Sequence, residues 1–154
     1  MSDEREYYED IEIGVTRSQG EGRVVTAEEI KRFALEFDPM PFHTDEKAAE
    51  ASILGRLCAS SVHVLALGSQ LAHEGQAESR EMAVLSALGW DRVRLVTPLF
   101  AGDHIRARAT IESKRESKSR PGSGIVTLLN EIVRKDDSLI AHYTVSVLVE
   151  KRTR

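Results

Sequence analysis

The stretch FDPMPFHTD, residues 37–45, carries the side chains best suited to acid–base chemistry. Asp38 and His43 lie five positions apart, and Pro39 and Pro41 stand between them. A continuous helix would send such side chains to divergent faces, whereas a helix broken by prolines lets them converge on one water. We interpret Asp38 as the base and His43 as the partner that holds the same water and passes the proton. The reverse assignment stays open, as does a purely local reading of a helix-end aspartate and a loop histidine.

A helix is predicted immediately before this break. Thr26 and Glu29 form a capping box, in which each side chain satisfies an amide at the helix start. Pro39 disfavours helical dihedral angles at Asp38, so the helix should end there. An apolar stripe with helical spacing runs between these limits, at Ile30, Phe33, Ala34 and Phe37.

Two further helices are predicted after the break. The first is short and should begin at Thr44, with Asp45 and Glu46 in its first turn, where the helix dipole favours negative charge. The second begins near Ser60 or Ser61 and is apolar around nearly its whole circumference. Such a helix is expected to be buried on most sides.

Beyond residue 83 the apolar period changes from helical to two, which indicates strands. Residues 104–111 and 141–149 alternate, 125–133 is more continuously apolar, and 120–124 and 135–138 read as turns. An earlier strand is expected around residues 14–25. We therefore predict an α+β fold, a single domain over 1–154, in which a curved antiparallel sheet wraps a central buried helix. Residues 10–150 form its core, and 1–9 and 151–154 are expected to be frayed.

The composition of the chain excludes several classes of function. The chain has 154 residues, 41% of them hydrophobic and 30% charged, with a formal net charge of −4. No block of like charge is long enough for broad nucleic-acid binding, and the acidic start has no apolar run that could be a signal peptide or membrane span. One cysteine, Cys58, excludes an internal disulfide. We expect a soluble, cytoplasmic protein with neither nucleic acid nor membrane among its partners.

Three segments, in order, resemble the MaoC-like dehydratase or (R)-specific enoyl-CoA hydratase family, which has the hot-dog fold. Residues 37–43, FDPMPFH, resemble the family's G-D-x-N-P-x-H motif. Residues 57–63, LCASSVH, resemble its loop into the central helix. Residues 94–103 resemble its strand and the P-x-x-x-G-D turn that follows. The sequence departs from the family at Phe37, where a glycine is usual, at Met40, where an asparagine is usual, and at Ser61, where a glycine is usual.

The resemblance implies reversible addition of water to a 2-enoyl thioester of coenzyme A or of an acyl carrier, with no metal or other cofactor. It also implies a homodimer, or a dimer of dimers or hexamer, with the acyl tunnel near the subunit contact. The thioester oxygen needs a donor, and the backbone N–H of Ser61 at the helix start is our prediction. The predicted substrate pocket is lined by Phe37, Met40, Phe42, Ser60 and His63. For His63, near a helix start, the alternative is a neutral structural histidine, and either interpretation is preferred to a catalytic acid.

Other polar residues of the sequence are also candidates for a functional role. Lys118 and Arg120 lie in a mixed charged turn, which we interpret either as a solvated turn or as a contact for a coenzyme A phosphate. Cys58 has no base suggested beside it, so we interpret it as a packing residue, and His73, His104 and His142 show no metal-ligand spacing. Two other functions compete with the hydratase. They are a hot-dog thioesterase, for which Glu74 is the carboxylate on the central helix, and a non-catalytic acyl-thioester binder or partner subunit.

Overall fold

The computed structural model describes residues 5–18, 20–74 and 80–152. Its helices are α1 (Ala27–Phe37), α2 (Pro41–Thr44), α3 (Glu46–Glu50) and α4 (Ser61–Glu74), preceded by a short 3-10 turn at Tyr8–Asp10. Its strands are β1 (Thr16–Ser18), β2 (Arg23–Val24), β3 (Val84–Leu95), β4 (His104–Glu116), β5 (Ser123–Arg134) and β6 (Leu139–Glu150). No helix in these described ranges is long and apolar enough to cross a membrane.

The strands form one antiparallel sheet with the order β1-β4-β5-β6-β3, and β2 pairs with the same strand, β4, as β1 does. The predicted alternation in β4 is confirmed, because Ile105, Ala107, Ala109 and Ile111 are all buried. Helix α4 packs across this inner face, so the predicted α+β architecture is also confirmed.

The main core lies between α4 and the sheet. Val64, Leu67 and Leu71 of the helix pack in one cluster with residues of β4, β5 and β6. Gly68 permits the close approach, because a Cβ there would lie 2.5 Å from the hydroxyl oxygen of Tyr143. A bulkier residue would push the helix away from the strands.

Helix α1 begins at the predicted capping box and ends before Pro39, as predicted. The Thr26 hydroxyl accepts from the Glu29 amide at 3.2 Å, and the Glu29 carboxylate accepts from the Thr26 amide at 3.1 Å. Asp38 leaves the helix with φ −158° and ψ 72°. The capping box and the following proline therefore set both ends.

Two predicted element boundaries are wrong. The segment after the break does not begin at Thr44, because Pro41 already starts the single turn α2, and Asp45 caps α3 by accepting from the Ala48 amide at 2.8 Å. The preset φ of proline suits the first position of a helix, which explains the earlier start. The expected strand at 14–25 is split into β1 and β2, with Gly20 and Gly22 at positive φ between them.

Two burial predictions also need correction. One flank of α4 is open in the single chain, since Ala66 is exposed and Val62 is 46% exposed. The helix is therefore not buried on most sides by its own chain. Residues 5–9 are not frayed, because Glu6 and Tyr7 are buried and the Glu6 amide donates to the Glu81 carbonyl at 2.8 Å. The remaining residues predicted to fray, 1–4 and 153–154, lie outside the described residues.

Candidate active site

The break between α1 and α2 brings Asp38 and His43 together. Asp38 is the first residue after α1, and His43 is the third residue of α2, whose start is set by Pro41. The Oδ2 atom of Asp38 lies 3.9 Å from Nε2 of His43. The imidazole is buried, while a third of the aspartate side chain stays exposed. The carboxylate thus faces solvent on one side and a fixed imidazole on the other.

A backbone contact determines which nitrogen of His43 faces the aspartate. Nδ1 lies 2.7 Å from the carbonyl oxygen of Cys58, and a carbonyl can only accept. In the neutral ring Nδ1 therefore carries the proton, and Nε2 presents a lone pair toward Asp38. Two acceptors 3.9 Å apart do not bond to each other, but a single water can donate one hydrogen to each.

The start of α4 offers amide donors on the side of His43, since Ser61 lines the same cavity as that imidazole, whereas Asp38 is not among the residues that line it. Ser60 is the N-cap residue, since its hydroxyl accepts from the His63 amide at 3.2 Å and its carbonyl accepts from the Val64 amide at 3.0 Å. Ser61 is consequently the first helical residue, and its N–H has no acceptor within the helix. The positive end of the helix dipole adds to the attraction for a developing negative charge.

His43 and Ser61 line the same cavity of about 280 Å³. Its remaining walls come from the segment before α4, from α4 itself, and from the end of β3 and the loop that follows it: Leu54, Cys58, Ala59, Val64, Leu95, Val96, Thr97, Pro98 and Leu99. The surroundings are mostly apolar, with few polar groups in fixed positions. That composition is typical of small-molecule sites.

His63 points to the opposite flank of α4. Its ring stacks on Phe33 with centroids 4.3 Å apart, its Nε2 lies 3.9 Å from the Glu29 carboxylate, and its Nδ1 is buried without a partner in the described structure. Burial lowers the pKa of His63, and the negative charge of Glu29 opposes this shift. His63 is therefore held as a neutral imidazole between α1 and α4, away from the cavity that His43 lines.

The other predicted pocket residues are dispersed. Phe37 and His63 line a separate cleft of about 380 Å³ between α1 and α4. Met40 is 46% exposed, and Phe42 packs with its ring edge against His43, centroids 4.5 Å apart. Ser60 is fully buried beneath the helix start. The structure thus groups His43 and Ser61 in one cavity but places Phe37 and His63 in another.

Lys118 and Arg120 lie far from this cavity in the same chain. They occupy the turn between β4 and β5, whereas the cavity lies at the other end of β5, where Arg134 contacts Thr97 and Pro98. With a rise of about 3.3 Å per residue, β5 separates the two ends by on the order of 35 Å. The two residues are therefore not brought to the site by their own chain.

The structure adds a group that sequence reasoning missed. Arg134 donates from Nε to the Asp103 carboxylate at 3.0 Å, from Nη1 to the Thr97 hydroxyl at 3.0 Å and from Nη2 to the Pro98 carbonyl. It therefore fixes the loop that forms one wall of the cavity. The P-x-x-x-G-D pattern signalled Asp103, but its partner lies 31 residues further along the chain.

Burial raises the pKa of the Cys58 thiol, which lies 3.6 Å from Nδ1 of His43. A raised pKa disfavours the thiolate, so the packing interpretation agrees with the local environment. Within the described ranges, no group of three His, Cys, Asp or Glu side chains could hold a metal ion.

Solved structures share this fold over nearly the whole chain. A MaoC-like dehydratase from Rhodospirillum rubrum is 30% identical, with a TM-score of 0.84 and coverage of 97% of this chain and 99% of its own. An (R)-hydratase of A. caviae involved in PHA biosynthesis is 24% identical, with a TM-score of 0.67 and coverage of 92% and 98%. A Mycobacterium tuberculosis protein described as having a double hotdog fold is 16% identical, with a TM-score of 0.76 and coverage of 99% of this chain and 46% of its own.

These likenesses confirm the predicted hot-dog fold. A family model described as a MaoC like domain matches residues 10–132, which is most of the chain. The resemblance seen in the three sequence segments is thereby confirmed, and the chain belongs to the MaoC-like domain family.

Proposed function

We propose that this chain is a hydratase/dehydratase that adds water reversibly to the double bond of a 2-enoyl thioester of coenzyme A or an acyl carrier. The observation that carries the proposal is the pair of acceptors, Asp38 Oδ2 and His43 Nε2, 3.9 Å apart, of which His43 lines the same cavity as Ser61, whose amide has no acceptor within its helix. The R. rubrum relative is described as a dehydratase and the A. caviae protein as a hydratase, which supports the same reaction class.

The geometry suggests a sequence of steps. Asp38 and His43 hold one water, and the carboxylate removes a proton as the water oxygen forms a bond to C3 of the substrate. The electrons of the double bond move toward the thioester oxygen, where the Ser61 amide stabilises the charge. The proton then reaches C2 through His43, so that one water is added and nothing else is consumed. In the opposite assignment, His43 takes the proton and Asp38 returns it.

We further propose that the working unit is a homodimer or an assembly of dimers. Strand β3 is one edge of the sheet, and it carries large exposed apolar side chains at Val84, Leu85, Leu88, Trp90 and Leu95. An unpaired apolar edge is a site of strand pairing. The double hotdog protein, of which this chain covers 46%, is consistent with a unit of two such folds. Light scattering should give at least twice the monomer mass at micromolar concentration, and a monomer mass would contradict the proposal.

Incubation of the purified protein with crotonyl-CoA tests the reaction. Hydration removes the conjugated double bond, so the enoyl absorbance should fall while no free thiol forms. Release of a thiol would instead identify a thioesterase, a function for which α4 offers only Glu74, at its exposed end. Binding with neither change would identify a non-catalytic acyl-thioester protein.

A further inference from the structure

An exposed arginine, Arg56, lies in the segment that forms one wall of the His43 cavity. Arg56 stands between Leu54 and Cys58, both of which line that cavity. Cys58 forms an antiparallel β-bridge with Phe100. Side chains paired across such a bridge lie on the same face. Because the Arg56 guanidinium stacks on the Phe100 ring, Arg56 lies on the same face as the cavity-lining Cys58.

The position of Arg56 is fixed by an aromatic ring and not by a carboxylate. Its guanidinium carbon lies 4.3 Å from the centroid of the Phe100 ring, and Phe100 follows the cavity-lining Leu99. No carboxylate in the part of the chain that the structure describes forms an ion pair with Arg56. Nη2 of Arg56 donates to the Ala101 carbonyl at 3.5 Å, and the remaining N–H groups of the guanidinium are available to bind an anion.

Other cations do not fulfil the same conditions. Lys118 and Arg120 lie at the far end of the sheet. Arg94 precedes the cavity-lining Leu95, but it pairs with His142, whose side chain lines a cleft on the outer face of the sheet. Since neighbouring strand residues alternate between faces, Arg94 points away from the cavity.

We propose that Arg56 binds a phosphate group on the carrier arm of the thioester substrate. This inference rests on the proposed function, because a thioester whose carbonyl oxygen meets the Ser61 amide must send its pantetheine arm out past the cavity rim. Coenzyme A and a carrier-bound phosphopantetheine both carry a phosphate ester at the end of that arm. Guanidinium groups bind such phosphates with two parallel hydrogen bonds. The ligand group is thus a phosphate ester, from either source.

A comparison of two substrates isolates the phosphate contact. Wild-type protein and Arg56→Gln are assayed with crotonyl-CoA and with crotonyl-pantetheine, which lacks the phosphate. We expect Arg56→Gln to lower kcat/KM for crotonyl-CoA by about 10- to 100-fold, the usual effect of losing a charged hydrogen bond, and to leave crotonyl-pantetheine within about twofold. Arg94→Gln removes the same charge from the outer face and should change neither value. Crotonyl on an acyl carrier protein then distinguishes the source. A similar loss points to the phosphodiester, and no loss points to the nucleotide phosphates.

Failure of this inference and failure of the proposed function give different results. If both substrates are hydrated but Arg56→Gln affects them equally, or if Arg120→Gln produces the phosphate-dependent loss, the assignment of Arg56 is overturned. If neither substrate is hydrated by the wild type, the proposed function is wrong. Calorimetric titration with free coenzyme A still tests the contact in that case. Weaker binding by Arg56→Gln, but not by Arg94→Gln, supports it, and equal affinity of wild type and Arg56→Gln overturns it.

Discussion

Replacing Arg134, at the end of β5, with methionine should lower the free energy of unfolding of the protein strongly. The substitution keeps most of the apolar stem but removes four hydrogen bonds, one of them a long contact of 3.5 Å to the Ser138 hydroxyl. It also leaves the Asp103 carboxylate, only 17% exposed, without its cation. Breaking a fully buried ion pair costs about 3–5 kcal/mol. Since Arg134 and Asp103 retain about a fifth of their exposure, we expect a loss of about 2–4 kcal/mol in the free energy of unfolding.

Urea denaturation followed by circular dichroism measures this loss, and Arg92→Met is the matched control. Arg92 pairs with Glu112 at 2.6 Å, but their side chains are 62% and 38% exposed. An exposed pair contributes at most about 1 kcal/mol, so the control should change little. In the folded variant, the loosened loop should also raise KM for crotonyl-CoA. A cost for Arg134→Met no greater than that for Arg92→Met would refute the view that Arg134 fixes the cavity wall.

Two further substitutions test other parts of the site. Ser61→Gly keeps the proposed oxyanion donor and should leave kcat within a few-fold of the wild-type value. Ser61→Pro removes the N–H at a helix position that tolerates proline, so it should lower kcat by about 10²- to 10³-fold. Full activity of a folded Ser61→Pro variant would place the thioester oxygen elsewhere. Because the pKa of His63 is lowered in the folded protein, His63 takes up a proton in the unfolded chain at a higher pH than in the folded chain. The stability that neutral His63 contributes is therefore complete above its unfolded pKa of about 6.5 and declines as the pH falls below that value. His63→Gln should therefore flatten the drop in urea midpoint between pH 7.5 and 5.5, and an unchanged drop would assign the effect to another group.

Local features of the sequence predicted the elements around the site because their causes are local. The capping box at Thr26 and the proline after Asp38 set the ends of α1, and the serines at 60 and 61 set the start of α4. The proximity of Asp38 and His43 also followed from the proline-broken helix, since only five positions separate them.

Features that depend on distant contacts were not predicted. The side to which His63 turns depends on Phe33, thirty positions earlier, and the role of Arg134 depends on Asp103 across the sheet. The interpretation of Lys118 and Arg120 as phosphate contacts rested on charge alone, which carries no information about distance from the cavity. Arg56, for which we propose a phosphate contact, was not singled out because its position depends on Phe100, a residue distant in the sequence.

The central claim is that Asp38 and His43 act as a unit on one water. Its most direct test is the initial rate of crotonyl-CoA hydration by the wild type, Asp38→Asn, His43→Gln and the double variant, with folding checked by circular dichroism. Each single substitution should lower kcat by about 10²- to 10⁴-fold, and the double variant should be little worse than either, because removing one partner already disables the water. Folded single variants that keep the wild-type rate, or losses that multiply in the double variant, would contradict the account.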